Sequence, residues 1–596
     1  MVSRNHFLDP ELVSKRVKAT DSLLNDTHNP IRHLERGKIH LALGFPDLAA
    51  TDAYRALTLF DSVLDSESEF PARKRIVPDA LWNCAVYVDE QSEPNSDASA
   101  NDSDVSIGSD EDEASESDSE FEDVTLSDYH EHIGNVYTLL VASLAQCGCM
   151  RDAYDFCIQG LKLEYGAEGN LAQPFLEKSI KEIQDAYVNQ RRLRAGPDVR
   201  DGDIQFDPAG LQVQGHARRV VYPWNAHEPD RNSPEIVRFL NERLQNIAPK
   251  CEVRTVNLPA LHGLEADAEN DSNPENREEV SVQLGLFAKE DIIPGETILH
   301  ESSMLTATNR LHDDLCDACN SPLPELGSAE PSVACDNCDD TVFCSERCYK
   351  LACETYHGAI CGEEGLASIG KDIQNPKDKA DYLYLLLVAR AFAMAETQKV
   401  HPLDLPEVKY IWGDFHRIED DPCDAWAGRL PPPSATLPFS FQLNILQPMR
   451  ILEEMGLDPF DSLRTYDTWV VNTLYAKFRG TASGRLSTWD GGPEVCAVHP
   501  LWCLANHSCD PNVRWEWGGE ITFVARNETE RVQWGSSEES ERRKNDRGGF
   551  AIKKDEEILN HYCDLALVVK ERREWAMGAL GGPCQCSRCV WEESQS

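Results

Sequence analysis

The chain has 596 residues with 41% hydrophobic and 8% aromatic side chains, which predicts several folded domains rather than one core. Its formal net charge of −46 disfavours direct nucleic-acid binding and favours basic protein partners, of which histones are one kind. We find neither an apolar signal segment nor a run of about eighteen apolar residues, so we expect an intracellular protein, nuclear or cytoplasmic, without a membrane partner. In that reducing compartment, the 21 Cys indicate metal ligands or buried thiols rather than disulfides.

The N-terminal half is predicted to be helical over residues 1–88 and again over 125–200. In both stretches a helix, a turn glycine (Gly44 or Gly148) and a helix rich in Ala and aromatic residues follow one another. This order resembles tetratricopeptide repeats, and a plain helical bundle is the alternative.

Two acidic segments and one mixed segment interrupt the globular pattern. Residues 89–124 are rich in Ser, Asp and Glu and predict a disordered linker, because they cannot build an apolar core. Residues 201–279 form a connecting region that ends in a second acidic stretch, Glu265 to Glu279. Within this region, Val221 to Arg231 combines aromatic and polar residues, which marks either a partner site or a packed linker.

The C-terminal half alternates strands and helices. Residues 280–301 predict a β-hairpin whose turn is Pro294-Gly295. Helices are expected over 381–397 and 443–464. Strands are expected over 513–524 and near 558–562, with a loose polar loop at 527–549 between them.

Eight potential metal ligands lie between residues 316 and 361, in pairs spaced as in structural zinc sites. The interleaved arrangement gives one ion Cys316, Cys319, Cys344 and Cys348, and the other Cys335, Cys338, His357 and Cys361. Cys353 is then spare. Because this stretch contains few apolar residues, two zinc ions would supply much of its folding free energy. Incidental buried thiols are the alternative.

A second cysteine cluster, Cys584-x-Cys586-x2-Cys589, offers three ligands. A tetrahedral zinc site needs a fourth, and the natural candidate is Cys509 in the stretch LANHSCDPN (504–512). A third zinc ion would then pin the tail over that loop.

Four landmarks in this order resemble the SET and MYND domain family of protein lysine methyltransferases, over about Val280 to Cys589. They are Leu284-Gly285-Leu286-Phe287-Ala288 with Pro294-Gly295-Glu296, the zinc-ligand cluster, Asn506 to Asn512, and Asp555 to Tyr562 before the cysteine tail. The resemblance implies an α+β multidomain protein, in which a helical-repeat region precedes a β-rich SET fold. The implied boundaries are a SET N-terminal part at 280–311, a MYND-type zinc finger at 312–361, a helical insert at 362–490, a SET C-terminal part at 491–565 and a post-SET tail at 566–596.

The resemblance also implies roles for individual residues. Asn506 and His507 would contact S-adenosylmethionine within a knot-like crossing of chain segments, and Cys509 would bind the tail zinc. Tyr562 would line the lysine channel as the catalytic residue, and Gly285 would let the backbone approach the cofactor. The implied reaction is in-line methyl transfer to a protein lysine, in a histone or another protein. By the same resemblance, the zinc finger would bind a proline-rich partner.

The sequence departs from the family pattern at four places. Gln283 replaces the first glycine of Gly-x-Gly, and residues 477–482 lack an expected Asn. Gly581-Gly582-Pro583 stands where an aromatic residue is expected, and Asp555 replaces the glycine of Gly-Glu-Glu. Two alternatives therefore remain: a SET-like scaffold without catalytic activity, and an atypical or small-molecule methyltransferase.

Overall fold

The computed structural model describes residues 9–64, 124–163, 172–195, 204–259, 280–308, 314–338, 341–370, 376–415, 436–486, 493–580 and 582–595. The acidic linker predicted at 89–124, except its last residue, and the acidic stretch at 265–279 lie outside these ranges.

The helices, in chain order, are α1 (Pro10–Asn25), α2 (Pro30–Ala42), α3 (Pro46–Leu64), α4 (Leu126–Cys147), α5 (Met150–Gly160), α6 (Ala172–Ala195), α7 (Pro234–Ile247), α8 (Glu346–Thr355), α9 (Pro376–Gln398), α10 (Pro406–Lys409), α11 (Gln447–Glu454), α12 (Leu463–Tyr466), α13 (Thr468–Thr481), α14 (Ser537–Arg547), α15 (Val569–Leu580) and α16 (Ser587–Ser594). The strands are β1 (Gln214–Arg218), β2 (Cys251–Pro259), β3 (Val280–Ala288), β4 (Thr297–Glu301), β5 (Thr306–Thr308), β6 (Val333–Ala334), β7 (Val342–Phe343), β8 (Thr436–Ser440), β9 (Ser483–Leu486), β10 (Pro493–Ala497), β11 (Val513–Trp517) and β12 (Ile521–Ala525). In this part of the chain, no helix is both long and apolar enough to cross a bilayer.

The N-terminal helices begin and end where local sequence signals place them. Asn29 caps α2 through a bond from the Ile31 amide, and a capping box between Thr125 and Asp128 starts α4. The predicted turn glycines both adopt positive φ, 76° at Gly44 and 86° at Gly148, which a residue without Cβ does at no steric cost. Two helix pairs, α2–α3 and α4–α5, therefore occur where repeats are predicted.

The two halves of the chain share one hydrophobic core. Buried residues of α3, α4 and α5 pack with Phe439, Phe441 and Phe460, which belong to the predicted helical insert. Strand β1 pairs antiparallel with β8 across the same boundary. The helical half is thus built onto the C-terminal half.

The predicted hairpin over 280–301 is wrong in its pairing, although both of its strands exist. β3 pairs antiparallel with β2 along nine residues, whereas β4 pairs with β12, which pairs in turn with β11. The Pro294-Gly295 turn directs the chain to the second sheet, because the Gly295 amide donates to the Ala525 carbonyl and the Ala525 amide donates to the Glu296 carbonyl. β2 lies in the predicted connecting region, so this region supplies a strand to the sheet.

Three other local expectations need correction. The predicted loop at 527–549 contains α14, which Ser536 and Glu539 start with a capping box. The helix predicted over 443–464 ends at Glu454, because Gly456 (φ 71°) turns the chain. Near 558–562 there is no extended strand, but isolated bridges such as His507 to Asn560. The helix predicted over 381–397 is confirmed as α9.

The mixed segment Val221 to Arg231 is a packed linker that runs from the helical half to the second half. The Tyr222 hydroxyl donates to Asp47 at 2.7 Å, and the Trp224 ring lies 3.9 Å from the Arg16 guanidinium carbon. Farther along, Glu228 forms an ion pair of 2.8 Å with the buried Lys477. The segment ends beside the cavity described next.

Candidate functional site

A cavity of about 250 Å³ lies between the β2–β3 sheet, the 504–507 segment and the C-terminal tail. Its volume is close to the lower end for small-molecule sites, about 300 Å³. Five predicted site residues line it, which are Asn506, His507, Tyr562 and the zinc-ligand candidates Cys584 and Cys586. The lining also includes Gln283, which departs from the family pattern, and the polar or charged residues Arg231, Ser281, Thr481 and Glu557. The structure therefore brings together side chains from distant parts of the chain.

Asn506 is held at the cavity wall by its own amide group. Its Nδ2 donates to the Leu284 carbonyl at 3.1 Å and to Oε1 of Glu557 at 2.8 Å. Both amide hydrogens are thus used inside the protein, and Oδ1 is left to contact a ligand. Burial raises the pKa of Glu557, an effect that the Asn506 hydrogen bond opposes.

Two chain segments cross behind this wall. The Asn560 amide donates to the Asn506 carbonyl, and the Ser508 amide donates to the Asn560 carbonyl, both at 2.8 Å. The Asn512 side chain clamps the same crossing, because it donates to the Glu557 carbonyl and accepts from the Leu559 amide. The close packing of the stretch LANHSCDPN against residues 557–560 fixes the direction of the cavity side chains.

His507 and Tyr562 face each other with ring centroids 5.1 Å apart. Nδ1 of His507 accepts from the Tyr562 amide at 3.0 Å, so Nε2 carries the proton of the neutral ring. Burial lowers the pKa of His507 to about 4, which keeps the ring neutral at pH 7. The Tyr562 hydroxyl donates to the Ala505 carbonyl at 3.0 Å, and burial raises its pKa, so it remains a neutral phenol.

Gly285 has a different place from the predicted one. It does not line the cavity. A Cβ at this position would lie 2.8 Å from Oε1 of Glu557 and 3.2 Å from Nδ2 of Asn506. Gly285 therefore makes room for the Asn506–Glu557 pair, because a Cβ here would require the ends of those two side chains to shift.

A second and larger cavity, about 680 Å³, adjoins the first. It is lined by aromatic residues, including Tyr384, Trp502, Trp515 and Trp575. The two cavities share five residues, which are Gly480, Thr481, Cys503, Tyr562 and Ala579. Tyr562 thus stands at the boundary between a small chamber and a wide aromatic groove.

The eight ligands of the predicted zinc finger form two groups in the predicted pairing. Within each group, the potential ligand atoms lie within 4.8 Å of one another. The groups are Cys316, Cys319, Cys344 and Cys348, and Cys335, Cys338, His357 and Cys361. Cys353 belongs to neither set. Four soft N and S ligands at this spacing are compatible with tetrahedral zinc.

Cys509 joins Cys584, Cys586 and Cys589 in a third group of the same dimensions. Two arginines contact it: Arg588 donates to the Cys509 carbonyl at 2.9 Å, and Arg572 donates to Sγ of Cys589 at 3.5 Å. Arg572 is 1% exposed. A buried cation at a cysteine sulfur fits thiolate ligands, because four thiolates around Zn²⁺ leave a net charge of −2.

Three residues at these sites were absent from the sequence prediction of the site. Glu557 lay in the quoted landmark but was given no role, and Arg231 lay in the mixed segment without one. Cys563 approaches the tail cluster, in a group with His507 and Cys509. Glu557 had a signal in the family landmark that contains it, and Arg231 had one in the mixed composition of its segment.

Comparison with known proteins agrees with this architecture. Residues 283–533 match the family model of the SET domain. This segment of the chain is therefore similar to SET domains, which generally act as protein lysine methyltransferases that use S-adenosylmethionine. The match includes Asn506 and His507 but ends before Tyr562 and the cysteine tail. No curated protein matches the chain.

The cavity offers complementary groups for S-adenosylmethionine. The free Oδ1 of Asn506 and the Glu557 carboxylate can accept hydrogen bonds from an ammonium group, and Arg231 can bind a carboxylate. Leu258, Leu284 and Leu504 supply apolar contacts to the same chamber. When bound, this cofactor supplies an activated methyl group on a sulfonium.

Proposed function

We propose that this protein is an S-adenosylmethionine-dependent protein lysine methyltransferase. The observation that carries the proposal is the position of Tyr562 between two adjoining cavities. In-line methyl transfer requires the methyl donor and the acceptor amine to approach from opposite sides of the methyl group. A small chamber that meets a wide groove at one tyrosine offers that arrangement.

The residues at the boundary suit a reaction that depends on alignment. Tyr562 and His507 are neutral, so they do not repel a cationic sulfonium. The Tyr562 proton is directed to the Ala505 carbonyl, which leaves the phenol oxygen to accept from the lysine amine and to stabilise positive charge near the methyl group. Exclusion of water and a fixed approach then carry most of the rate.

The cysteine groups support a finer assignment. We infer a MYND-type finger with two zinc ions over 312–361 and a third zinc in the post-SET tail. The helical half, with its α2–α3 and α4–α5 pairs, is proposed as a tetratricopeptide-like surface for protein partners. The substrate is a protein with an accessible lysine, histone or other, and a proline-rich partner at the finger remains part of the proposal.

A catalytically inactive scaffold is the second candidate, and Gln283 favours it. This side chain lines the chamber where the family pattern has glycine, and its Nε2 donates to Ser281 at 2.7 Å. A side chain fixed there reduces the space for a ligand. A protein that binds zinc and its partners but does not bind the cofactor would be a scaffold.

Calorimetric titration of the zinc-loaded protein with S-adenosylmethionine separates the two candidates. We expect binding by the wild type, strong loss in Asn506→Ala, and no change in Asn545→Ala, whose side chain is exposed on α14. Tyr562→Phe should retain binding but lower transfer of labelled methyl groups to lysine-containing proteins, with histones as the first trial substrate. No binding by folded wild-type protein would overturn the enzyme proposal.

A further inference from the structure

Among the described residues that line the small chamber, Arg231 is the only basic residue of the Arg or Lys type, and Glu557 is the only residue with a carboxylate. The described contacts include no ion pair between them, although both interact electrostatically with Tyr562. The chamber thus holds two opposite charges that do not neutralise each other directly. An amino-acid ligand, with one carboxylate and one ammonium, has the complementary pair of charges.

Arg231 is anchored by one side of its guanidinium. Its Nε donates to the Tyr410 carbonyl at 3.0 Å, and this is the hydrogen bond that the described contacts assign to its side chain. The two Nη groups are therefore left for a ligand. Burial lowers the pKa of Arg231, a sign that its charge pays a desolvation cost that a bound anion would relieve.

Neither carboxylate that closely precedes Arg231 forms an ion pair with it among the described contacts. Asp230 is exposed, and its Oδ1 accepts from the Asn232 amide at 3.2 Å. Glu228 is engaged by Lys477, whose ammonium lies 2.8 Å away and is 1% exposed. Lys477 also donates to the backbone carbonyls of Lys409 and Ile411 at 3.4 Å, and its ammonium lies 6.0 Å from the Phe415 ring centroid. The charge of Glu228 also raises the pKa of Arg231, but its ion pair is with Lys477, so the Arg231 guanidinium is available on the chamber side.

The geometry points to Arg231 as the receptor for the carboxylate of the cofactor's amino-acid end, with Asn506 and Glu557 receiving its ammonium. This inference rests on the proposed function and adds a residue from outside the matched SET domain, which begins at residue 283. A planar guanidinium with two free Nη groups suits bidentate carboxylate binding. The packed linker that carries Arg231 would then complete the cofactor site.

The test is calorimetry with S-adenosylmethionine and with its decarboxylated analogue, which keeps the sulfonium and the ammonium but lacks the carboxylate. The matched control is Arg243→Ala, because Arg243 also donates to a backbone carbonyl, that of Pro406, but does not line the chamber. Zinc content and thermal unfolding would show that each variant is folded. Arg231→Gln, which keeps most of the side-chain volume, serves if Arg231→Ala does not fold.

We expect Arg231→Ala to weaken S-adenosylmethionine binding by about 10- to 100-fold, the size of a charge-assisted bidentate contact. Binding of the decarboxylated analogue should change by less than about twofold, and Arg243→Ala should bind both ligands as the wild type does. Equal loss of both ligands in Arg231→Ala, or no loss of either, would overturn the role of Arg231 alone. A folded wild type that binds neither ligand would overturn the proposed function and this inference together.

Discussion

Replacing Arg36 by Met should destabilise the junction between the two halves of the chain. Arg36 is 1% exposed and lies on α2. Its Nε bonds both oxygens of Asp52 at 3.1 and 3.0 Å, and its Nη1 donates to Asp467 at 2.9 Å. Asp467 precedes α13 in the second half, so a single guanidinium joins the helical region to the helical insert.

The expected cost follows from the charges that the substitution leaves behind. Burial alone would raise the pKa of Asp467, but the charges of Arg36 and Arg55 outweigh it and hold that pKa well below its ordinary value. Without Arg36, Asp467 keeps Arg55 at 2.9 Å, and Asp52 keeps two histidines, His40 at 2.8 Å and His33 at 4.0 Å. Removing one partner of a buried ion pair costs about 3 to 5 kcal/mol. For a cooperative unit of about 150 to 250 residues, this corresponds to a midpoint lowered by about 6 to 20 °C.

Thermal unfolding followed by circular dichroism measures this shift. Arg32→Met is the matched control, because Arg32 lies on the same helix and its ion pair with Glu35 is solvent-exposed. We expect a change of no more than about 1 kcal/mol for the control. The double variant Arg36→Met, Asp52→Asn should cost less than the sum of the single changes, since the second substitution removes a stranded charge. A midpoint for Arg36→Met within about 2 °C of the Arg32→Met midpoint would refute the reasoning.

Two further predictions concern a buried carboxylate and the zinc finger. Burial raises the pKa of Glu301 to about 7, although the amides of Leu501 and Trp502 donate to its side chain and oppose the rise. Between pH 4.5, the ordinary pKa of a Glu side chain, and pH 7, Glu301 is protonated in the folded protein and ionised in the unfolded chain. The contribution of Glu301 to the free energy of unfolding therefore falls as pH rises, on the order of 1 kcal/mol per pH unit. In denaturant titrations from pH 4.5 to 8, the wild type and the exposed control Glu538→Gln should show this fall in the free energy of unfolding with pH, and Glu301→Gln should not. Equal pH dependence in the wild type and both variants would contradict the assignment. Cys335→Ser should reduce the zinc content, measured by mass spectrometry, from three ions per chain to two and expose residues 314–361 to proteolysis, because the site loses one of four ligands. Cys353→Ser should retain three ions, and equal metal loss in both variants would speak against the predicted ligand sets.

Local chemistry explains which features could be predicted from the sequence. The turn glycines, the α9 helix and the grouping of cysteines each depend on a few neighbouring residues or on a ligand type. The cysteine pairing required one further assumption, an interleaved finger, and the distances are compatible with it. The helix within 527–549 was missed despite its local capping box, because its polar sequence offers no apolar face.

The sequence by itself determined three features: the cysteine and histidine ligands at the spacing of metal sites, the helical N-terminal half, and the Asn-His stretch with its distant tyrosine. Only the tertiary structure decided the partners. An apolar alternation shows that β3 and β4 are strands, but it does not encode that β3 joins β2 and β4 joins β12. It likewise could not show that Gly285 makes room for Glu557, or that Arg231 reaches the chamber from a linker. These arrangements arise from contacts between residues far apart in the chain, which no local pattern specifies.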